Sequence, residues 1–175
     1  NIYMSATPQQ KKKNIIIKRR AGGETLIFSS DIGVVRIAIG NWYDESIKSK
    51  LNNMIYLFRI DIYPRFRGQG NCVKLLTHSL LEAKNYLITT SYYNHDQPFN
   101  GMVDIETREE YFQRAYNCYL RSYNNIGFEL TGITDVVRVA MKDDKNNEIS
   151  IITQKLMFSA PAISYGNYSS SSSPP

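Results

Sequence analysis

The sequence predicts an α/β protein with a mixed β-sheet, and three observations support this class. Short apolar runs rich in β-branched residues, separated by glycines, fill the first third of the chain and predict strands. Two helical patterns follow, over residues 73–87 and from residue 107 to about residue 123. Further strand patterns lie between and after them. Strands and helices that alternate in this way are typical of α/β proteins.

Composition limits the class of protein. The chain has 175 residues, enough for one domain with a sizeable core. Hydrophobic residues make up 42% and charged residues 21%, which is ordinary for a globular protein. Since no apolar run approaches the roughly 20 residues of a membrane span, and the first residues lack the layout of a secretory signal, we expect a cytoplasmic protein without a membrane segment. The abundant Asn, Ile, Tyr and Lys suggest an AT-rich genome as the source.

The cysteine and histidine content and the net charge limit which disulfides, metal sites and ligands the chain can have. The chain holds two cysteines, Cys72 and Cys118, and two histidines, His78 and His95. These are too few for a disulfide scaffold or a Cys/His zinc cluster, so we expect no metal. The net charge of +5 is compatible with nucleic acid, acidic lipid or a polyanionic small molecule, and by itself does not choose among them.

The two ends differ in composition from the middle. Residues 7–13 are polar and end in three lysines, and residues 159–175 are rich in serine and end in two prolines. The composition of residues 159–175 cannot bury apolar surface. We therefore predict a flexible basic segment at 1–13, a single domain at 14–158 and a disordered tail at 159–175.

The long strand of the first half is the clearest local pattern. Apolar residues alternate at period two from Met54 to Ile62, after strand patterns at 15–17, 25–28 and 34–39. The opposite face begins with Ile55 and Leu57 but continues with polar residues. A strand that is apolar on both faces at one end and polar on one face at the other usually ends near a cleft.

The remaining elements follow in order. Pro64 ends the long strand, and a helix with an apolar side at spacings of three and four comes next. Residues 94–101 are predicted as a loop, and Thr107 with Glu110 as a capping box that starts the second helix. Gly127 ends that helix, and strands are predicted at 128–130, 136–141 and 149–158.

The segment between the long strand and the first helix indicates an anion site. Gly68 and Gly70 would let backbone amides approach a ligand closely, and a helix start carries unpaired N–H groups and partial positive charge. The first helical turn has no acid, while Arg65, Arg67 and Lys74 surround it. The alternative is a simple turn with solvated arginines. The Walker and dinucleotide patterns do not match, because Asn71, Cys72 and Val73 stand at the positions they specify.

Two motifs resemble those of the GNAT superfamily of acyl-CoA-dependent N-acetyltransferases. The run from Pro64 through Arg67, Gly68 and Gly70 to the Leu75-Leu76 helix resembles motif A, with Cys72 as a departure at its last position. The run Tyr123-Asn124-Asn125-Ile126-Gly127-Phe128-Glu129-Leu130 resembles motif B. The resemblance implies a mostly antiparallel central sheet with flanking helices, splayed at an acetyl-CoA cleft. Two further departures are strand patterns where the family usually has two helices, and Tyr116 in place of an asparagine.

The resemblance also implies a site. Acetyl-CoA would be the co-substrate, with its pyrophosphate on the loop and its pantetheine arm on the end of the long strand. Tyr123 would be the general acid, since a phenol of pKa near 10 can protonate a thiolate of pKa about 8.5. Cys72 is interpreted as a small replacement and not as a nucleophile. The implied cofactor-binding residues are Ile60, Ile62, Arg65, Arg67, Gly68, Gln69, Gly70, Asn71 and Cys72.

The general base is left open. Asp61 is the only acid on the long strand and is the tentative choice, although it could equally form an ion pair with Arg59. Asp44, Glu45, His95 and a relayed water are the other candidates.

The leading hypothesis is an enzyme that transfers an acetyl group from acetyl-CoA to a primary amine by direct attack on the thioester. The acceptor amine cannot be inferred from the sequence, and a homodimer is compatible with it. The alternative is a catalytically silent protein with the same fold, whose cleft would be blocked or would bind CoA without turnover. A third hypothesis is nucleic-acid binding through residues 11–13 and 18–20, which the lack of interleaved aromatic residues disfavours.

Overall fold

A computed structural model describes residues 15–163, in which an eight-stranded sheet carries two helices. This confirms the predicted mixed α/β class. Segment 1–13 and residues 164–175 of the predicted tail lie outside the described residues. The helices are α1 (Asn71–Ile88) and α2 (Glu109–Asn125), and a short 3-10 helix spans Pro64–Phe66. The strands are β1 (Ile15–Arg20), β2 (Gly23–Ser29), β3 (Gly33–Asp44), β4 (Ser49–Ile62), β5 (Phe99–Arg108), β6 (Glu129–Ile133), β7 (Val137–Lys142) and β8 (Glu148–Ala160).

The sheet is antiparallel except at one pair of strands. Its order is β1-β2-β3-β4-β5-β8-β6, and β7 pairs with β8 beside β6. Strands β1 to β4 form a meander, with Gly22 at a φ of 75° in the first turn. Within residues 15–163 no α-helix precedes β4, so the predicted departure from the family's pattern in this region is present.

The parallel pair β4–β5 opens partway along its length. It comprises four residue pairs, from Met54–Asn100 to Leu57–Val103. Beyond them β4 stays paired with β3 as far as Ile62, and β5 stays paired with β8 as far as Arg108. The two strands therefore diverge after Leu57 and Val103, and their facing edges lack a ladder partner. The sheet is splayed here, as the resemblance implies.

The core lies between the sheet and the two helices. The helices contact each other, and together they pack on β3, β4, β5 and β8. The predicted apolar side of α1 is confirmed, because Leu76, Leu80, Ala83 and Leu87 are fully buried. Burying each such leucine contributes about 2 kcal/mol relative to leaving it exposed. No helix of residues 15–163 combines the length and apolar character needed to cross a bilayer.

Three predicted boundaries need correction. The predicted loop 94–101 overlaps the start of β5, which begins at Phe99. The capping box is wrong: Thr107 still pairs with Ile152 in the sheet, so the helix N-cap is Arg108, which makes no side-chain cap bond. Glu109 and Glu110 nevertheless occupy the first turn, where their charge suits the helix dipole. The last strand extends to Ala160, two residues into the predicted tail.

The two cysteines form a disulfide that the sequence did not predict. Cys72 lies in the first turn of α1 and Cys118 on the buried side of α2, and their sulfur atoms are bonded. Describing Cys72 only as a small replacement is therefore wrong, because its sulfur joins the two helices. The bond closes a sequence separation of 46 residues directly behind the glycine loop.

Reduction of this bond tests the disulfide. In a chain-entropy treatment, opening a loop of this length lowers the free energy of unfolding by about 4 kcal/mol. We expect dithiothreitol to lower the urea midpoint of the wild-type protein and to leave that of Cys118→Ser unchanged. Two titratable thiols in denatured, unreduced protein would contradict the assignment.

Candidate active site

The divergence of β4 and β5 creates a cleft of about 1110 Å³. Residues 58–61 of β4 and 104–107 of β5 line its two sides, and β8 contributes residues 153–155. Ala115 and Tyr119 of α2 line it from the helix side, and Thr134 and Asp135 from the link between β6 and β7. Val137 of β7 adds to the lining, which thus includes four strands, a helix and the link between β6 and β7, at the place where β4 and β5 separate.

One part of the cleft is aromatic. Tyr56 and Phe58 contact each other edge to face, with ring centroids 4.8 Å apart. Trp42 of β3 stacks on Tyr56 at 4.7 Å and holds it in place. Phe58 is 45% exposed although it is a large apolar residue on a central strand. The ring is therefore available to a ligand.

A lysine and two carboxylates form a second part. Lys155 Nζ lies 3.2 Å from Asp44 Oδ2 and 2.9 Å from Asp104 Oδ1. The Tyr56 hydroxyl donates to Asp104 Oδ2 at 2.6 Å. Burial, together with Asp104 as acceptor, raises the pKa of Tyr56, so the phenol keeps its proton. One cation between two carboxylates leaves this cluster with negative charge.

Asp44 is the buried member of this cluster, at 5% exposure. Burial alone would raise the pKa of its carboxyl group. Other contacts outweigh burial and lower this pKa overall. They are the hydrogen bonds from Ser46, Lys155 and the Ile47 amide, together with the positive charge of Lys155. These contacts give Asp44 a structural role, which makes it a poor choice among the base candidates.

Asp61 and Tyr119 lie together in the cleft. Asp61 forms the ion pair that the sequence allowed, with Arg59 Nε 2.6 Å from Asp61 Oδ2, and still lines the cleft. Tyr119 lies on α2, one turn before Tyr123. Burial and then the charge of Asp61 raise the pKa of Tyr119, so its hydroxyl stays protonated at neutral pH.

Tyr123 lies in the core and does not line this cleft. Its side chain is fully buried, and its ring stacks on Phe158 at 4.3 Å. Its hydroxyl donates to the carbonyl of Ile55 at 2.7 Å, and the carbonyl of Met102 lies 3.3 Å away. Burial raises its pKa strongly. This geometry favours a structural role, because the proton of this phenol is already committed to backbone within the sheet.

The glycine loop follows the cleft directly along the chain. Gly68 and Gly70 have φ values of 75° and 77°, which glycine adopts without strain. A Cβ at either position would have no protein atom within 4 Å, so the space beside the backbone is open. Gly70 is the N-cap of α1, and the first helical bond runs from the Lys74 amide to its carbonyl at 3.3 Å. The amides of residues 71–73 therefore have no helical acceptor.

Most polar side chains of this loop bond to backbone carbonyls of the loop or of the end of β4. Asn71 donates to the Phe66 carbonyl at 2.9 Å, and Gln69 to the Arg65 carbonyl at 3.2 Å. Arg67 Nε donates to the Ile62 carbonyl at 2.8 Å, and the Arg65 guanidinium lies 4.9 Å from the centre of the Phe66 ring. The loop conformation is thus fixed by its own contacts, and the first turn of α1 has no acid, as predicted.

The structure brings most of the predicted residues to one end of the sheet. Ile60 and Asp61 line the cleft, and residues 65–72 form the loop that follows them. The Ile62 carbonyl is already taken by Arg67. His95, another base candidate, lies against the Tyr93 ring at 4.7 Å and is absent from the cleft lining. Within residues 15–163 no group of three or more acidic, histidine or cysteine side chains could hold a metal ion.

Sequence reasoning missed Tyr119, Asp104, Glu106 and Lys155, all of which line the cleft. Tyr119 shares a helix with the tyrosine that the motif selected. Which of the two tyrosines faces the cleft depends on how α2 is oriented against the sheet, and the sequence does not give that orientation. Asp104 and Lys155 lie on paired strands far apart in sequence, so only the register of β5 on β8 brings them together.

Comparison with known proteins gives a weak structural likeness. No family model and no curated protein matches the sequence. Among solved structures, a Bacillus subtilis acetyltransferase in complex with CoA matches at a TM-score of 0.39 and 11% sequence identity. The match covers 82% of this chain and 79% of that chain. A likeness of this size does not establish a shared fold or function.

The depressed pKa of Asp44 predicts how stability depends on acid. A carboxyl group with a folded-state pKa below its unfolded value of about 4 stabilises the protein above that pH. The contribution is lost as pH falls through the folded value. We expect the urea-derived free energy of unfolding to fall more steeply below about pH 5 for wild type than for Asp44→Asn. Parallel curves for the two proteins would contradict this assignment.

Proposed function

We propose that this protein transfers an acetyl group from acetyl-CoA to a primary amine by direct attack of the amine on the thioester. One observation carries the proposal: β4 lines an open cleft with residues 58–61 and leads straight into an acid-free glycine loop. A site for a reacting group and a site for an anion therefore lie at the same end of one strand. The first sequence motif adds support, since it falls on this loop, and the second runs from the last turn of α2 into β6.

The loop suits the diphosphate of CoA. Its backbone is open at Gly68 and Gly70, the amides of residues 71–73 have no helical acceptor, and the helix dipole favours negative charge. Arg65, Arg67 and Lys74 add three cations with no acid among residues 63–74. Because the side chains of Gln69 and Asn71 already hold the loop, little ordering would remain to be done on binding.

The diverging edge of β4 suits the pantetheine arm and the thioester. Beyond Leu57 the side of β4 that faces β5 has no ladder partner, and Ile60 lies in the cleft. Ile62 contributes less, because its carbonyl accepts from Arg67. A backbone amide of this edge directed at the developing oxyanion would stabilise the transition state by about 3 kcal/mol.

Proton transfer is assigned to two groups in the cleft. As the amine nitrogen bonds to the carbonyl carbon and the carbon–sulfur bond breaks, Tyr119 donates its proton to the departing thiolate. The ammonium form of the acceptor loses two protons in all. Asp61, which also lines the cleft, takes the first directly or through water and so frees the lone pair for attack. The Tyr119 phenolate takes the second from the nitrogen once the nitrogen–carbon bond has formed. Tyr119 replaces Tyr123 in this role, because it lines the cleft and Tyr123 is buried in the core.

The competing hypotheses have less support in the structure. A silent protein of this fold was expected to have a blocked cleft or to bind CoA without turnover. The open cleft argues against the first form of this hypothesis, and a turnover assay distinguishes the second. For nucleic-acid binding, residues 11–13 lie outside the described residues. Arg20 is committed to the protein, with hydrogen bonds to the carbonyls of Ile39 and Asn41 and a guanidinium 4.9 Å from the centre of the Trp42 ring.

A pair of glycine variants tests the loop. Gly70→Ala and Gly127→Ala both place a side chain at positive φ with open space around it, the first in the loop and the second after α2. Each should cost about 1 kcal/mol of stability. We expect Gly70→Ala alone to weaken CoA binding, by about tenfold in calorimetry, because its Cβ occupies the space where the diphosphate would approach. Equal affinity in the two variants, or no binding by wild type, would contradict the loop assignment.

A pair of tyrosine variants tests the proton donor. Tyr119→Phe should lower kcat by about 100-fold, the lower range for loss of general acid catalysis, with little change in CoA affinity. Tyr123→Phe should instead lower the free energy of unfolding by about 1–2 kcal/mol, since a buried carbonyl loses its donor. A large loss of kcat in Tyr123→Phe with Tyr119→Phe unaffected would return the role to Tyr123.

A further inference from the structure

The cleft and the protein as a whole differ in the sign of their charge. The chain carries a net +5, yet four carboxylates and two cations line the cleft. The carboxylates belong to Asp61, Asp104, Glu106 and Asp135, and the cations to Arg59 and Lys155. Buried Asp44 adds a further negative charge behind Lys155. A local excess of negative charge inside a basic protein raises the concentration of cations in the cleft.

Contacts within the protein neutralise only part of this charge. Arg59 pairs with Asp61, and Lys155 is shared between Asp44 and Asp104. Glu106 and Asp135 are exposed, and their carboxylates have no hydrogen-bond or ion-pair partner among residues 15–163. Two carboxylates therefore remain available in the cleft, in addition to the negative charge of the lysine cluster.

Aromatic rings line the same cleft. Phe58 is 45% exposed, and Tyr56 beside it is held by Trp42 and by Asp104. The face of an aromatic ring attracts an ammonium group and also packs against methylene groups. Rings together with unpaired carboxylates match a flexible aliphatic cation. A sugar fits less well, because its hydroxyl groups would need uncharged donors and acceptors. An anion fits less well, because the carboxylates would repel it.

We propose that the acceptor is a small aliphatic diamine or polyamine. One amine is acetylated near Ile60 and Tyr119, while a second ammonium group binds to Glu106 and Asp135 with its chain against Phe58. This inference rests on the proposed acetyl transfer. It gives the two charged regions complementary roles, with the basic loop for the polyanionic co-substrate and the acidic cleft for the cationic acceptor.

A matched pair of amines measures what the second ammonium group of the acceptor contributes. At saturating acetyl-CoA, 1,4-diaminobutane and 1-aminobutane share a four-carbon chain and differ in one terminal amine. We expect kcat/KM to be at least tenfold higher for the diamine. The double variant E106Q/D135N should bring this ratio close to one. The control Glu129→Gln, on an exposed position of β6 outside the cleft lining, should keep the wild-type ratio.

The outcomes separate this inference from the proposed function. A ratio near one in wild type, or a high ratio that survives E106Q/D135N, would overturn the diamine proposal while leaving acetyl transfer intact. Preference for a lysine-containing peptide over the diamine would overturn it in favour of a protein acceptor. Failure to bind acetyl-CoA would instead remove the proposed function. If acetyl-CoA binds but no amine is acetylated, calorimetry measures whether 1,4-diaminobutane binds to the complex of the protein with CoA. Binding would support the diamine site, and absence of binding would overturn it.

Discussion

The fold depends on a parallel strand pair that closes for four residues and then separates. At the closed end the Tyr123 hydroxyl lies between the carbonyls of Ile55 on β4 and Met102 on β5, so one phenol contacts both strands. Gly101 makes room for it, because a Cβ there would lie 2.6 Å from the tyrosine ring. The strands are thus joined at this end by a ladder and a buried side chain. Beyond this closed end, β4 is held by β3 and β5 is held by β8, and the cleft opens between β4 and β5.

This arrangement places two opposite charges at one end of the molecule. The loop after β4 collects three cations around a helix start, while the edges of β4 and β5 collect carboxylates around one lysine. The net charge of the chain hides this separation. The disulfide between Cys72 and Cys118 ties the loop end of α1 to α2, the helix that lines the cleft. The geometry of the loop and that of the cleft are therefore mechanically linked. Disulfides are rare in reducing compartments, which is at odds with the cytoplasmic location expected from the sequence.

Local patterns made much of the fold predictable. The three-and-four spacing of α1 follows directly from burial on one side of the helix, and the loop was recognisable from Gly68, Gly70 and the missing acid. The period-two pattern located β4, but its single apolar face from Met54 to Ile62 is wrong. Ile55 and Leu57 are buried in the core while Phe58 is 45% exposed, because a register shift against β3 between Leu57 and Arg59 interrupts the alternation. What failed depended on contacts between distant residues. The capping box was wrong because pairing with β8 keeps Thr107 in a strand. The disulfide needs the packing of α1 on α2, and the choice between Tyr119 and Tyr123 needs the rotation of α2 against the sheet.

The central claim is that CoA binds where β4 diverges from β5, and amide spectra of the ¹⁵N-labelled protein titrated with CoA test it most directly. If CoA binds there, the largest changes in chemical shift fall on residues 68–73 and on residues 58–61, with β1 and β2 unaffected. Unchanged spectra at millimolar CoA, or changes centred on the basic residues 18–20 of β1, would contradict it.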